Sequence, residues 1–407
     1  MNITIISPVL PYPLDSGGAQ AQFNMIDRLR SKHDITYIFV QTRYSQGDAL
    51  KKLPVIWPNV DIVSYSYLRQ VAHWRFFKDK MVRAVKMRTS KGDERFKVER
   101  AIKPYGVYFT NDFVCFVNEV INRKKTDVIQ VEFFPCLHIV NYLQPGIKRI
   151  FIHHEIRFVR NERLLKNLTL TEEECHRCLD VKNTEIEDLN KYDAVVTLTD
   201  TDKGILRTNG VTSSLYVSPA AINARQLTYK EWTGKITFVG GYSHIPNKEG
   251  LDWFLTNVLP EVKTDVSLQV VGSGWPASSY ENRWQNVEFL GFVEHLEDAV
   301  HGSIMIVPIL TGSGMRMKIL EAAAMSVPFI TTSVGVEGLD FKHDESCLVA
   351  DTAEEFANAI DCLANDAVLR KRLTENASKV FENKYSAQAL SDVRDNIYCN
   401  VVKNNVM

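Results

Sequence analysis

No apolar run in these 407 residues reaches the roughly 18 uninterrupted positions that a membrane-spanning helix needs, so the sequence predicts no transmembrane segment. Neither sign of charge is in excess. The chain has 48 Lys and Arg against 49 Asp and Glu, a formal net charge of −1, which gives no reason to expect nucleic acid as a partner. Cysteine is sparse: Cys115, Cys136, Cys175, Cys178, Cys347, Cys362 and Cys399 are an odd, scattered set. That argues against a disulfide framework and fits a reducing, cytoplasmic compartment. Cys175-His176-Arg177-Cys178 has zinc-like spacing, but no second pair follows, and a charged helix is the better reading. The N-terminus carries no basic segment and is interrupted by Pro8, Pro11 and Pro13, so no signal peptide is expected.

Short apolar runs alternating with helical patterns fill the chain. In the first half they are Ile3–Ser7, Ile35–Val40, Val60–Tyr65, Val128–Val131, Arg149–His153 and Ala194–Thr199. In the second half they are Lys235–Val239, Ser267–Val271, Val287–Leu290, Ile304–Val307, Phe329–Thr332 and Cys347–Val349. Strands separated by helices imply parallel sheets, and two sets of about six fit two doubly wound α/β domains. The boundary is expected near Ser218–Trp232, giving a first domain of residues 1–220 and a second of 221–385.

The segment Thr311–Pro328 carries the most chemistry. The loop Thr311-Gly312-Ser313-Gly314-Met315 leads into Arg316, Met317 and Lys318, then Glu321 on an apolar helix, Pro328, and the strand-like Phe329-Ile330. Helix N-termini present unpaired N–H groups and bind anions, and glycines let the backbone approach a ligand. Arg316 and Lys318 add full charges, and Glu321 can accept hydrogen bonds from sugar hydroxyls. Lys318 and Glu321 share a helix face. Arg316 joins Lys318 at one diphosphate only from the loop or first turn, since two helical positions are about 200° apart.

This segment resembles the donor site of the family-four retaining glycosyltransferases, of the glycosyl transferases group 1 type, which have the GT-B fold. The resemblance implies two Rossmann-like domains facing a cleft, with a last helix (386–407) returning to the first domain. It also implies a nucleoside diphosphate sugar as donor substrate, retention, and neither cofactor nor metal. It assigns Glu321 to the ribose. Ser313 stands where the family has the first Glu of its motif, at the donor sugar, and Gly241 stands where it has an Arg on the diphosphate. Lys248 matches the next cation only roughly, so Arg316 and Lys318 are expected to take the diphosphate. Gly272-Ser273-Gly274 and Gly291-Phe292-Val293 would shape the slot for the base, and Glu337 could cap a helix or touch the donor.

In the first domain, Gly17-Gly18 precede an apolar-faced helix with Phe23, Met25, Ile26 and Leu29. They do not form the GxGxxG dinucleotide fingerprint but resemble the GT-B glycine loop beneath the donor. His154-Glu155 resembles the family's His-Asp pair at a strand end, making His154 a catalytic candidate beside Arg316 and Lys318, with Glu132 a further candidate. Asp200-Thr201-Asp202 spells a metal-binding Asp-x-Asp, yet its place after a strand favours helix capping. Arg69–Lys103 is basic, with Val71, Trp74, Phe77, Met81, Val82 and Val85 at helical spacing. Such a stretch can lie peripherally on an anionic membrane, or pack as a solvated helix on its own domain; both readings stay open. The acceptor expected is a saccharide or a lipid-linked molecule, in surface polysaccharide or glycolipid synthesis. The rival functions are a nucleotide-sugar epimerase of the same fold and a catalytically degenerate nucleotide-sugar-binding module.

Overall fold

The computed structural model describes residues 1–407 except 15, 42–45, 67–89, 104–108, 223–226, 391 and 404–407. Most of the basic stretch Arg69–Lys103, with all six of its apolar positions, lies outside the described residues. Among the described residues no helix is long and apolar enough to cross a membrane.

Two compact units emerge. The first comprises Met1–Pro13, Met25–Ser218 and Asp392–Met407. Its strands are β1 (Asn2–Ser7), β2 (Asp34–Gln41), β3 (Val60–Ser66), β4 (Val128–Glu132), β5 (Lys148–His153), β6 (Ala194–Thr197) and β7 (Ser214–Val217). They form one parallel sheet in the order β3-β2-β1-β4-β5-β6-β7. β4 and β6 are buried at every position, as expected of parallel strands covered on both faces. The seventh strand was missed in the sequence because β7 is a four-residue edge strand with an exposed Ser214.

The second unit comprises Leu14–Asn24 and Pro219–Ser391. Its strands are β8 (Lys235–Val239), β9 (Ser267–Val271), β10 (Val287–Gly291), β11 (Ser303–Val307), β12 (Phe329–Thr331) and β13 (Leu348–Val349). The order is β10-β9-β8-β11-β12-β13, again parallel. In both sheets the order reverses beside the first strand, between β1 and β4 and between β8 and β11. The carboxyl ends of strands at such a switch point are where doubly wound sheets bind ligands.

Two segments depart from the sequence reading. Leu14–Asn24 packs with the second unit, although the reading put residues 1–220 together. Its apolar face was legible, but its partner was not: Ala21 joins the buried cluster of Met317, Ile319 and Leu320, and a β-carbon on Gly17 would sit 3.0 Å from Met317 Cγ. The returning helix is Val393–Lys403, with residues before Asp392 still in the second unit. Arg394 Nε donates to Ser218 Oγ at 3.2 Å, and Lys32 pairs with Asp392 at 2.6 Å, fixing this helix within the first unit.

One glycine of the second unit is dictated by packing. A β-carbon on Gly250, in the Ile245–Trp253 helix, would lie 2.1 Å from the Pro308 carbonyl oxygen that follows β11. Backbone cannot yield as a side-chain tip can. Gly250→Ala should therefore cost about 3 kcal/mol or more, read as a lower denaturant midpoint.

Candidate functional site

At the β8/β11 switch point the second unit gathers a polar group from four segments. The loop before the Met317–Ala324 helix has Gly312 and Gly314 at φ +114° and +81°, conformations that favour glycine. Arg316 is the N-cap of that helix, so it lies in the loop geometry that lets it act with Lys318. Its Nη1 donates to the carbonyls of Ser313 (2.6 Å) and Gly314, which ties the loop into a closed turn. Thr311 Oγ1 donates to Glu249 Oε2 at 2.8 Å, anchoring the other end of the loop.

Lys318 Nζ donates to Asn247 Oδ1 at 2.8 Å and lies 4.9 Å from the centre of the Phe238 ring. The Asn247 amide is oriented by its own donation to the Gly241 carbonyl at 3.0 Å. Burial pulls the Lys318 pKa down to about 7; Arg316 reinforces this and Glu321 opposes it. Glu321 is 8% exposed, and burial raises its carboxyl pKa against a hydrogen bond from Gln20 and the charge of Lys318. It faces polar partners, not an apolar wall. Gln20 itself comes from the Gly17–Leu29 helix, whose first residue Gly17 meets Met317 at the start of the Met317–Ala324 helix.

Of the residues read from the sequence, Gly17, Gly312, Ser313, Gly314, Met315, Arg316, Lys318 and Glu321 thus belong to one neighbourhood, and Gly18 follows Gly17 on its helix. Gly241 is there too, but its backbone does not demand glycine, because a β-carbon would meet Ser273 at 3.5 Å, an ordinary contact. Lys248 leans over the Tyr242 ring at 6.0 Å, and the residue that meets Lys318 is its neighbour Asn247. Phe292 is 58% exposed after β10, an edge strand separated from β8 by β9. Asn247 and Gln20 were missed. Neither carries a charge or motif to mark it; only the side-chain geometry finds them.

The first unit has a separate polar chain at its own switch point. His154, after β5, gives Nε2 to Glu132 Oε2 at 2.9 Å, where Glu132 ends β4 and is fully buried. The other oxygen of Glu132 accepts from Gln130 Nε2 at 2.5 Å, and Gln130 Oε1 accepts from Tyr398 of the returning helix. Phe133, at φ +63°, stacks on the His154 ring with centroids 3.9 Å apart and planes 6° apart. A carboxylate accepting from Nε2 places a proton on that nitrogen and orients the ring. Glu155, next to His154 in sequence, accepts from Arg160 Nη1 at 2.9 Å. Glu132→Ala should lower activity about tenfold, the worth of one charge-assisted hydrogen bond. Glu132→Gln, which can still accept, should recover part of it in the same assay.

The Asp200-Thr201-Asp202 segment opens a helix, but Thr199 is the cap, accepting from the Asp202 N–H at 3.0 Å. Among the described residues no group of His, Cys, Asp and Glu could hold a metal ion. Cys175 and Cys178 sit on the Glu172–Leu189 helix.

Residues 233–366 match the family described as glycosyl transferases group 1. A Klebsiella pneumoniae relative, described as an uncharacterized protein in the cps region, is 26% identical over 166 residues. That alignment spans 38% of this chain and 43% of the relative, less than half of each. Among solved structures, the sucrose-phosphate synthase of Thermosynechococcus elongatus is similar at a TM-score of 0.71, with 14% identity over 99% of both chains. The Anabaena protein HepE, in complex with UDP and glucose, is similar at 0.67, with 11% identity over 98% of this chain and 100% of that one. The chain has the GT-B fold of two Rossmann-like units, and within it residues 233–366 match the family described as glycosyl transferases group 1.

Proposed function

We propose that the protein transfers a sugar from a nucleoside diphosphate sugar to a saccharide or lipid-linked acceptor. The observation that supports this most is the convergence of Arg316, Lys318 and Glu321 at the start of one helix, on the β8/β11 switch point. The helix N–H groups and the two cations receive the diphosphate, and Glu321 receives the ribose hydroxyls once Gln20 gives way. Stabilising the leaving diphosphate then lowers the barrier, with no metal assigned a part. His154 contacts the acceptor or the transferred sugar through Nδ1. Retention follows from the family resemblance alone. Ser313 leaves the contact to the donor sugar without the family's carboxylate, so sugar choice rests on smaller groups here.

The HepE structure holds UDP, and the Klebsiella relative is described by its cps region, so UDP-sugars and surface-polysaccharide acceptors are the first to test. Incubation with UDP-glucose and other nucleotide sugars, with and without a saccharide acceptor pool, separates the rivals. Transfer to acceptor supports the proposal. Conversion of the sugar without acceptor indicates an epimerase, and binding with neither outcome indicates a degenerate module. Any role of Arg69–Lys103 at an anionic membrane would show as salt-sensitive vesicle binding, at about 1 kcal/mol per cation.

A further inference from the structure

Three arginines of the first unit gather near the carboxyl end of β5, which His154 follows. Arg157 and Arg160 stand at the start of the Arg157–Leu165 helix, directly after β5, and Arg100 ends the Ser90–Ala101 helix. Arg157 Nη2 donates to the Arg100 carbonyl at 2.5 Å. Its guanidinium lies 5.2 Å from the centre of the Phe134 ring, and the preceding Phe133 stacks on His154. Arg160 Nη1 is taken by Glu155. After these contacts the buried Arg157 Nε and Arg160 Nη2 have no hydrogen-bond partner among the described residues.

The helix terminus is not the source of the surplus. Its first N–H groups, on Arg157 and Phe158, already donate to Glu185 at 3.0 and 3.1 Å, and Glu185 also holds His153. The excess lies in the side chains, where three guanidiniums face the carboxylates of Glu155 and Glu185. Burial, with Arg160 and Arg100, lowers the Arg157 pKa to about 9 against the opposing Glu155 and Glu185. Burial and Arg160 lower Arg100 as well. Like charges kept this close, with charged N–H groups unmet, are poised for an anion.

We propose that Arg100, Arg157 and Arg160 form an oxyanion site for a phosphoryl group carried by the acceptor. Guanidinium forks match phosphoryl oxygens with paired hydrogen bonds, and the positive charge in excess attracts the anion. The anion site stands on this geometry alone; its assignment to the acceptor rests on the transferase reading, in which the acceptor lies at His154. A phosphorylated polyol and a lipid-linked diphosphate share this chemistry.

The test follows the arginine Nε–H signals of the full chain by NMR, with uridine diphosphate saturating the second unit. Inorganic phosphate, glycerol 3-phosphate, a short prenyl diphosphate and glucuronate are titrated in turn. Phosphate should shift the Arg157 signal, identified by its loss in Arg157→Lys. Arg160→Gln should weaken phosphate about tenfold, the loss of one charge-assisted hydrogen bond, while uridine diphosphate binds as before. If Arg157→Lys fails to fold, Arg160→Gln alone decides by its phosphate affinity. The tighter of glycerol 3-phosphate and prenyl diphosphate identifies the acceptor's phosphoryl source. No shift with phosphate, unchanged affinity in Arg160→Gln, or tighter binding of glucuronate would each overturn the site. Failure of the transferase reading shows separately, as absent uridine diphosphate binding with the phosphate response intact.

Discussion

Glu321→Ala should lose transfer by about ten- to a hundredfold, since the ribose forfeits charge-assisted hydrogen bonds, while the fold survives. The survival has a physical reason. Burial raises the folded pKa of Glu321 above its unfolded value. A group shifted this way contributes stability below the unfolded pKa, about 4.3 for Glu, and loses that contribution as pH rises through the folded pKa. Above the unfolded pKa the buried carboxyl is therefore a cost, partly offset by Gln20 and Lys318. Glu321→Gln keeps the shape and a polar partner for Gln20 without the charge. Its melting temperature at pH 7 should equal or exceed that of the parent, with transfer still impaired. Activity at the parent level in Glu321→Ala would remove this residue from the site.

Lys318→Met should weaken nucleoside diphosphate binding by about tenfold at pH 6, the worth of a hydrogen bond to a charged group. It should also change how binding depends on pH. The Lys318 pKa of about 7 means that much of the free protein holds a neutral amine at pH 8. A diphosphate beside it favours the ammonium, so binding at pH 8 takes up a proton and affinity falls as pH rises above about 7. Calorimetry in buffers of different ionisation enthalpy reads this uptake directly; Lys318→Met should show none. The sign for stability also follows. Between the folded value near 7 and the unfolded value near 10.5, the unfolded chain binds more protons, so stability rises with pH across that window. In Lys318→Met that rise should flatten, and below pH 7 the variant should be the more stable protein.

The sequence carried the architecture because parallel strands buried on both faces read as apolar runs. β4 and β8 appear in it within a residue of their observed bounds. β7 escaped because an edge strand needs only one apolar neighbour layer and four residues. The loop and helix bearing Gly312, Arg316, Lys318 and Glu321 were legible because small residues, cations and an isolated acid contrast with an apolar background. Asn247 and Gln20 were not, since an amide earns its place through orientation: Asn247 between Lys318 and the Gly241 carbonyl, Gln20 against Glu321. His154 and Glu132 were each legible as polar residues at strand ends, but their hydrogen bond across two strands is not encoded by local pattern. The placement of Leu14–Asn24 in the second unit depends on Ala21 and Gly17 meeting Met317, a long-range fit that local pattern does not encode.

The most direct measurement is a cycle that pairs Glu321→Ala with removal of the ligand's ribose hydroxyls. Affinities of uridine diphosphate and 2′,3′-dideoxyuridine diphosphate are compared on both proteins by calorimetry. With Glu321 on the ribose, loss of the hydroxyls weakens the parent by about tenfold or more and barely affects the variant. An equal loss on both proteins would contradict the account.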